Sequence, residues 1–309
     1  MLKSYKVMLV PNKCQRTRLF QFAGTARFAY NWALRKEINA YEAGESFISG
    51  NDLRKEFTVL RNSAEYSWLR TISNNVTKQA IKDCVDAYTS FFKKLSRRPR
   101  FKSKRRGDFN FYQDTDKIRI TATHVKLEAI ATSKKRNKQS LNWFRLAERD
   151  RIPVGVKYKE PRITFDGLNW WLSVTVEFAN SKAAETCGES LGIDLGIRNL
   201  ATCSDGIVYS NINRTKTVRR LKKKQRRLQR SISRKYEMNN TKGESYKKTR
   251  NIIKSEKKLL RIHHRLANIR QNYRHQITSF LIGRKPSLIV LEDLNVRERD
   301  ESGMKLKSS

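Results

Sequence analysis

The sequence predicts a multidomain protein of mixed α+β and α/β structure: a small antiparallel β-barrel interrupted by a helical module, then a separate unit of short strands and long helices. Three observations carry this. Short β-rich runs lie on either side of a long stretch with helical periodicity. A polar, small-residue segment at residues 180–189 divides the chain. Beyond it, three short strand patterns and two long helical ones precede a last apolar strand.

The first run, residues 5–10, alternates side-chain faces and is closed by Pro11, as a strand should be. From residue 15 to about 40, Leu19, Phe22, Ala26, Ala29, Ala33 and Leu34 recur three to four positions apart, with basic residues between them, which predicts a helix. A second stripe follows the turn-like Ser73-Asn74-Asn75: Val76, Ala80, Cys84, Ala87, Phe91 and Leu95. With the segment between them, these helices make a helical module. Pro99 cannot continue the second helix, and residues 97–106 pack basic side chains around Phe101, the composition of a loop that grips phosphates. Residues 118–120, 124–127, 154–158, 162–165 and 170–178 are then β-rich, and Asp166-Gly167 signals a hairpin turn before the last of them.

After the boundary, residues 191–195, 200–203 and 207–209 read as strands, the last two joined by Ser204-Asp205-Gly206. Val218, Leu221, Leu228 and Ile232 form one apolar helical seam; Leu259, Ile262, Leu266, Ile269, Tyr273, Ile277 and Phe280 form another. Pro286 precedes Leu288-Ile289-Val290-Leu291, an apolar run expected to be a buried strand, which ends at Glu292. The residues from Val296 onward are polar and basic without periodicity and are expected to fray.

In 309 residues, 67 Lys and Arg oppose 29 Asp and Glu, a formal charge of +38 that calls for a polyanionic partner. Neutralising many phosphates releases counterions, so binding should weaken steeply as salt rises. Apolar residues at 38% suffice for real cores and argue against wholesale disorder. No run approaches the ~18 apolar residues of a membrane span, and no signal-peptide core opens the chain, so no membrane partner and a cytoplasmic location are expected. Cys14, Cys84, Cys187 and Cys203 are far apart and never form a C-x-x-C pair, which excludes a zinc site or disulfide framework readable from spacing.

Two acids interrupt apolar strands. In Leu191-Gly192-Ile193-Asp194-Leu195-Gly196 and again at Glu292, a carboxylate sits where burial would be costly unless it meets a metal, a cation or the wet end of the strand. If the two strands lie side by side, as in a ribonuclease H-like sheet, Asp194 and Glu292 converge as catalytic and metal-ligating residues. Hard oxygen donors of this kind suit Mg²⁺ or Mn²⁺ and phosphodiester hydrolysis. The competing reading is that each acid caps its strand or pairs with one of the many cations. Between Arg214 and Arg274, 23 Lys and Arg face only Glu237, Glu244 and Glu256, so the helical pair is expected to bind backbone phosphates through Arg219, Arg220, Lys223, Arg226 and Arg227. His263, His264 and His275 on these helices receive no catalytic role. In Arg27-Phe28-Ala29-Tyr30-Asn31-Trp32, aromatics interleave with bases as in single-strand binders, giving Arg27, Tyr30 and Asn31 as candidate nucleic-acid contacts, although Phe28 and Trp32 serve equally well as core. The 97–106 loop adds Arg98, Arg100, Lys102 and Lys104.

Taken in order, the opening basic strand with residues 27–34, the Arg-Pro-Arg-Phe-Lys-Ser-Lys loop at 98–104, residues 170–177, residues 192–200, the basic helices and residues 289–296 resemble the TnpB family of transposon-encoded RNA-guided DNA nucleases. The resemblance covers nearly the whole chain. It implies a wedge-like barrel of residues 1–11 and 112–180, an inserted helical recognition module of residues 12–111, and a RuvC-type, ribonuclease H-like domain of residues 181–309. It also implies a guide RNA derived from the transposon end, a DNA target, and a prokaryotic, nucleoid-associated setting. By position, Asp194 matches the first RuvC acid and Glu292 the second. The sequence departs from the family after Glu292: the four-cysteine zinc ribbon and third catalytic Asp are not in these 309 residues, leaving Asp293, Asp300 and Glu301 as the nearby acids. This leaves three expectations open: a metal-dependent endonuclease, a nuclease-deficient RNA-guided DNA binder acting as a repressor, or the product of a decayed transposon gene.

Overall fold

The computed structural model describes residues 1–104, 106–128, 142–178, 188–239 and 248–292. The chain divides into two compact units, Met1–Ser181 and Lys182–Ser309.

The first unit opens with β1 (Leu2–Val10) and passes through Pro11 into α1 (Lys13–Glu42). A reciprocal cap starts that helix: the Asn12 side chain accepts from the Gln15 backbone N–H at 2.8 Å, and the Asn12 N–H donates to Gln15 Oε1 at 2.9 Å. Gln15 Nε2 also donates to the Trp143 carbonyl at 2.7 Å, tying the start of α1 to the sheet. All six positions of the expected stripe, Leu19 to Leu34, are buried. α2 (Gly50–Asn62), capped by Ser49, lies in the segment whose elements the sequence left unspecified, and a 3₁₀ turn at Ser67–Thr71 precedes α3 (Asn74–Phe92). The buried stripe of α3 runs Val76, Ala80, Ile81, Cys84 and Tyr88, and so departs from the expected one in its second half. The helix stops at Phe92 with Lys94 in the left-handed region (φ 59°), which leaves Leu95 outside it and exposed.

Seven antiparallel strands form one sheet in the order β2-β6-β7-β1-β5-β4-β3, with β2 Asn110–Tyr112, β3 Arg119–Ile120, β4 His124–Lys126, β5 Trp143–Leu146, β6 Tyr158–Phe165 and β7 Trp170–Glu177. Among the described residues β2 and β3 are its edges and do not pair with each other, so the ladder is an open sheet where a barrel was expected. β2 and β5 were not expected. The strand expected over residues 154–158 begins only at Tyr158, because Gly155 (φ 77°) turns the chain before it. β6 contains Pro161, which cannot donate to a ladder. The sheet accommodates it at a bulge where Glu160 and Pro161 together oppose the single residue between Ser173 and Thr175, with Glu160 at φ 48°. The Asp166-Gly167 turn forms as expected: Asp166 Oδ1 accepts from the Leu168 and Asn169 N–H groups, Oδ2 accepts from Trp171 Nε1, and Gly167 takes φ 95°. A single apolar core joins sheet and helices, with Trp170, Phe22, Phe57, Phe111 and Phe144 fully buried in it.

In the second unit β8 (Leu191–Leu195), β9 (Asn199–Cys203) and β10 (Val208–Ser210) form an antiparallel meander. α4 (Lys216–Met238) and α5 (Arg250–Gly283) follow, N-capped by Thr215 and Thr249, and β11 (Ile289–Leu291) returns parallel to β8. The sheet order is β10-β9-β8-β11. Two small cores result. Ile277 and Leu281 of α5 cover Leu191, Ile193, Ala201 and Cys203 of the sheet, and Val218 and Leu221 of α4 meet Ile262 and Leu266 of α5. Leu281 takes the sheet-facing place expected of Phe280, which is exposed. β11 departs from expectation more clearly. Leu288 to Leu291 are exposed at 39–56%, because β11 is an edge strand paired, among the described residues, only with β8, with Ile289 and Leu291 bordering an open apolar pocket against α5.

Candidate metal centre and nucleic-acid interface

The register of the parallel pair fixes the candidate centre. Ile289 pairs with Leu191, Val290 with Gly192 and Leu291 with Ile193. Glu292 is the residue that follows β11, and the same register extended by one position would bring it beside Asp194 of β8. Two features of β8 keep the Asp194 face open. Residue 192, two before Asp194 and therefore on its side of the sheet, is a glycine held by Ser204, whose Oγ accepts from the Gly192 N–H at 3.1 Å. Ile193 and Leu195, on the opposite face, look toward α5 with Ile277 and Leu281.

Both carboxylates are exposed, and among the described residues neither has a hydrogen-bond or ion-pair partner. Two other acids of the unit are engaged, Asp205 with Arg284, and Glu256 with Lys248 at 2.8 Å and with the Tyr236 hydroxyl. Among the described residues, therefore, no cation pairs with Asp194 or Glu292. Two adjacent, unpaired, hard oxygen donors fit a divalent ion that keeps waters and accepts phosphate oxygens as its remaining ligands. Among the described residues no group of three or more His, Cys, Asp and Glu side chains is placed to hold a metal. Asp293, Asp300, Glu301 and Cys187 lie outside the described residues. Cys14, Cys84 and Cys203 are free thiols, and burial pushes that of Cys84 up to about 12.

The structure separates the expected nucleic-acid contacts into two groups. Tyr30, Asn31 and Lys102 are engaged inside the protein. Asn31 Nδ2 donates to the Lys102 carbonyl and its Oδ1 accepts from the Lys102 N–H, both at 2.8 Å, so the amide holds the 97–104 loop against α1. Lys102 Nζ sits 3.8 Å from the Tyr30 ring centroid, and burial lowers its pKa below the usual lysine value. Burial, reinforced by Cys84 and Asp83, raises the Tyr30 phenol to about 12. Arg27 lies over the Phe109 ring at 5.4 Å, with Nη1 buried and unpartnered. Phe28 and Trp32 are core: Phe28 contacts Phe57, Tyr66 and Trp68, and Trp32 meets Phe57 at 5.2 Å. In the second group, Arg98, Arg100 and Lys104 on the loop and Arg219, Arg220, Lys223, Arg226 and Arg227 on α4 all project into solvent.

Sequence reasoning missed the clamp between Arg162 on β6 and Asp83 on α3, bidentate at 2.8 Å for each bond, because nothing local links residues so far apart. It also missed that Lys224, Lys258 and Arg261 join Arg227 around a groove between α4 and α5. The signal was available: once α4 and α5 are taken as an antiparallel pair, cations spaced by three on each helix must face one another. No helix among the described residues is long and apolar enough to cross a membrane.

Comparison with known proteins places this geometry in context. Residues 173–302 match the family profile described as "Probable transposase", and residues 1–46 match one described as "Helix-turn-helix domain". In this structure the latter segment is β1 followed by one unbroken helix to Glu42. The "Putative RNA-guided DNA endonuclease InsQ" of Escherichia coli (strain K12) is 29% identical over 301 residues, 97% of this chain and 68% of that protein. A "Putative RNA-guided DNA endonuclease" of Streptomyces pristinaespiralis is 25% identical over 97% of this chain and 69% of its own length. The chain thus spans about two thirds of the length of these relatives. Among solved structures, a Cas12f1 chain from the cryo-EM structure of a Cas12f1-sgRNA-target DNA complex superposes with a TM-score of 0.52 at 12% identity, over 94% of this chain and 66% of that one, a likeness of fold alone. Fold, basic surface and matches together liken the chain to transposase-labelled proteins and to relatives named as RNA-guided DNA endonucleases, which supports the TnpB resemblance.

Proposed function

We propose that this chain is a TnpB-type, transposon-associated, RNA-guided DNA-binding protein and endonuclease whose centre is Asp194 and Glu292. The observation that carries the reading is the pairing of β11 with β8, which puts Asp194 on one strand and Glu292 just past the end of its parallel neighbour, both exposed and without a partner among the described residues, in a chain with a net charge of +38. The order β10-β9-β8-β11, a meander with a fourth strand parallel to its first, supports a RuvC-type, ribonuclease H-like assignment. The names of the InsQ and Streptomyces relatives support a guide RNA and a DNA target as partners; that the guide is drawn from the transposon end is part of the proposal.

In this reading Asp194 and Glu292 are the oxygen donors for Mg²⁺ or Mn²⁺, which when bound supplies charge neutralisation at the phosphodiester and activation of water for hydrolysis. The residues of the chain do the positioning. Arg219, Arg220, Lys223, Arg226 and Arg227 hold backbone phosphates from one face of α4, and Arg98, Arg100 and Lys104 do so from the loop.

The test is cleavage of matched DNA by the chain purified with its flanking transposon-end RNA in Mg²⁺, with Asp194→Ala as control. Cleavage lost in the variant is the expected result; guide-dependent DNA binding with no cleavage in either protein overturns the nuclease assignment. That second outcome is the repressor-like reading, and one observation favours it: no third ligand joins the two acids among the described residues.

A further inference from the structure

The face of α4 that turns toward α5 carries a groove that backbone phosphate binding does not explain. Its cavity is about 570 Å³, with Leu228 and Ile262 as an apolar floor and Lys224, Arg227, Lys258 and Arg261 on its two rims. Among the described residues none of these four cations has an ion-pair partner. Ser231 supplies an uncharged hydroxyl to the groove, and that hydroxyl has no partner among the described residues either. Cross-helix contacts hold the walls on both sides of it. Gln225 meets His263 at 3.4 Å at one end; Lys235 donates to Ser255 at 2.8 Å and Tyr236 to Glu256 at the other. The groove is therefore a preformed feature of the helical pair.

A duplex lying on a basic helix needs only the cations. An apolar floor open to solvent between cationic rims fits a ligand that is anionic at its edges and flat and apolar in the middle, which is the chemistry of an unstacked nucleobase between two backbone phosphates. Arg227 and Arg261 add guanidinium planes on which a base can stack. The free Ser231 hydroxyl offers a partner for a 2′-hydroxyl, the group that distinguishes RNA from DNA.

We propose that the α4–α5 groove is a single-stranded RNA site that takes one unstacked base against Leu228 and Ile262, with its flanking phosphates on Lys224, Arg227, Lys258 and Arg261. The proposal deepens the RNA-guided reading and rests on it for the presence of an RNA.

The test measures binding of the full chain to an unstructured RNA strand of ~15 nucleotides, to the DNA strand of the same sequence and to a blunt RNA duplex, across a salt series. Leu228→Gln, which keeps a good helix former and the charge, should weaken RNA-strand binding about tenfold and leave the duplex unchanged. Arg227→Gln and Arg261→Gln, both at exposed positions, should each reduce the slope of log affinity against log salt by about 0.7. Ser231→Ala should narrow the preference for RNA over DNA. Circular dichroism of each variant establishes that the helices persist; should Leu228→Gln unfold them, the two arginine variants and Ser231→Ala decide. Equal binding of RNA and DNA strands by the unaltered chain, equal losses on strand and duplex, or unchanged slopes in both arginine variants would each overturn the proposal. Asp194→Ala should bind the RNA strand as the unaltered chain does, so failure of the nuclease assignment and failure of the groove are read separately.

Discussion

Removing the Arg162 partner of Asp83 by Arg162→Met should destabilise the first unit by about 2 kcal/mol. The pair is bidentate at 2.8 Å for both bonds, and its side chains retain 34% and 20% exposure, so it lies between a surface ion pair, worth up to ~1 kcal/mol, and a buried one, whose disruption costs ~3–5 kcal/mol. It also fastens α3 to β6 beside the Pro161 bulge, where the ladder is interrupted and other restraints are fewer. For a unit of this size, that loss corresponds to a fall of about 4–8 °C in the melting midpoint. Tryptophan fluorescence isolates the effect, because all five tryptophans, Trp32, Trp68, Trp143, Trp170 and Trp171, belong to the first unit. The sign with pH follows from Asp83. Burial raises its pKa, but the hydrogen bonds from Arg162 and Gln79 outweigh burial and leave it below the usual carboxylate value. Its contribution is therefore present at neutral pH and lost as pH falls through the lowered folded value, so the difference between the two proteins should shrink in acid. A midpoint change below about 2 °C, or a double variant with Asp83→Asn that loses the sum of the two single losses, would refute the coupling.

The same fluorescence reports on two further positions. Glu37 on α1 is 3% exposed with Oε1 unpartnered, and burial, only partly offset by the Ile48 backbone N–H, raises its carboxyl to about 7. A carboxyl raised on folding favours the folded state below its unfolded value of ~4.3, and that advantage is lost as pH rises through 7. Glu37→Gln should therefore flatten the decline in melting midpoint between pH 5 and 8 and be the more stable protein at the alkaline end; parallel curves for the two proteins would show that the group is not linked to folding. Asn31→Ala removes both bonds to the Lys102 backbone and should cost about 1–2 kcal/mol while raising the rate of tryptic cleavage at Arg97 and Arg100; an unchanged cleavage rate would mean that Lys102 on Tyr30 and Arg35 on Phe101 hold the loop unaided.

What the sequence disclosed followed from how local each feature is. The α1 stripe was legible because burial there is set by one face of one helix, and its six apolar positions all entered the core. The Asp166-Gly167 turn was legible because the Asp166 carboxylate satisfies its own neighbours. α2 was not read because only Leu53 and Phe57 anchor it. β2 and β5 are too short for alternation to appear. At the candidate centre, the two acids were legible as interruptions of apolar strands, while their adjacency depended on a parallel pairing across 98 positions of chain that no local pattern fixes. Asn31 and Lys102 carry a structural role that the sequence did not disclose. Polar residues amid aromatics suggested a nucleic-acid contact, and the fold uses them to secure its own loop.

The two unpaired acids make one more demand that can be measured without nucleic acid. Like charges on adjacent strands repel, and Asp194 and Glu292 have no protein cation to offset this among the described residues. A divalent ion that binds the folded pair and not the unfolded chain must then stabilise the second unit, by RT ln(1 + [L]/Kd), or about 1.4 kcal/mol when the ion is at ten times its dissociation constant. The result is a rise of about 5 °C in the transition of that unit. Calorimetry resolves it, and the tryptophan-monitored transition serves as an internal control, since the second unit contains no tryptophan. Removing one charge by Asp194→Asn relieves the repulsion and removes a ligand together, so the variant should melt higher than the unaltered chain without Mg²⁺ and gain little from adding it. Both halves of that result are needed: a variant that is less stable without metal, or one that still gains as much as the unaltered chain, would mean that the ion binds elsewhere and that the paired strand ends are not its site.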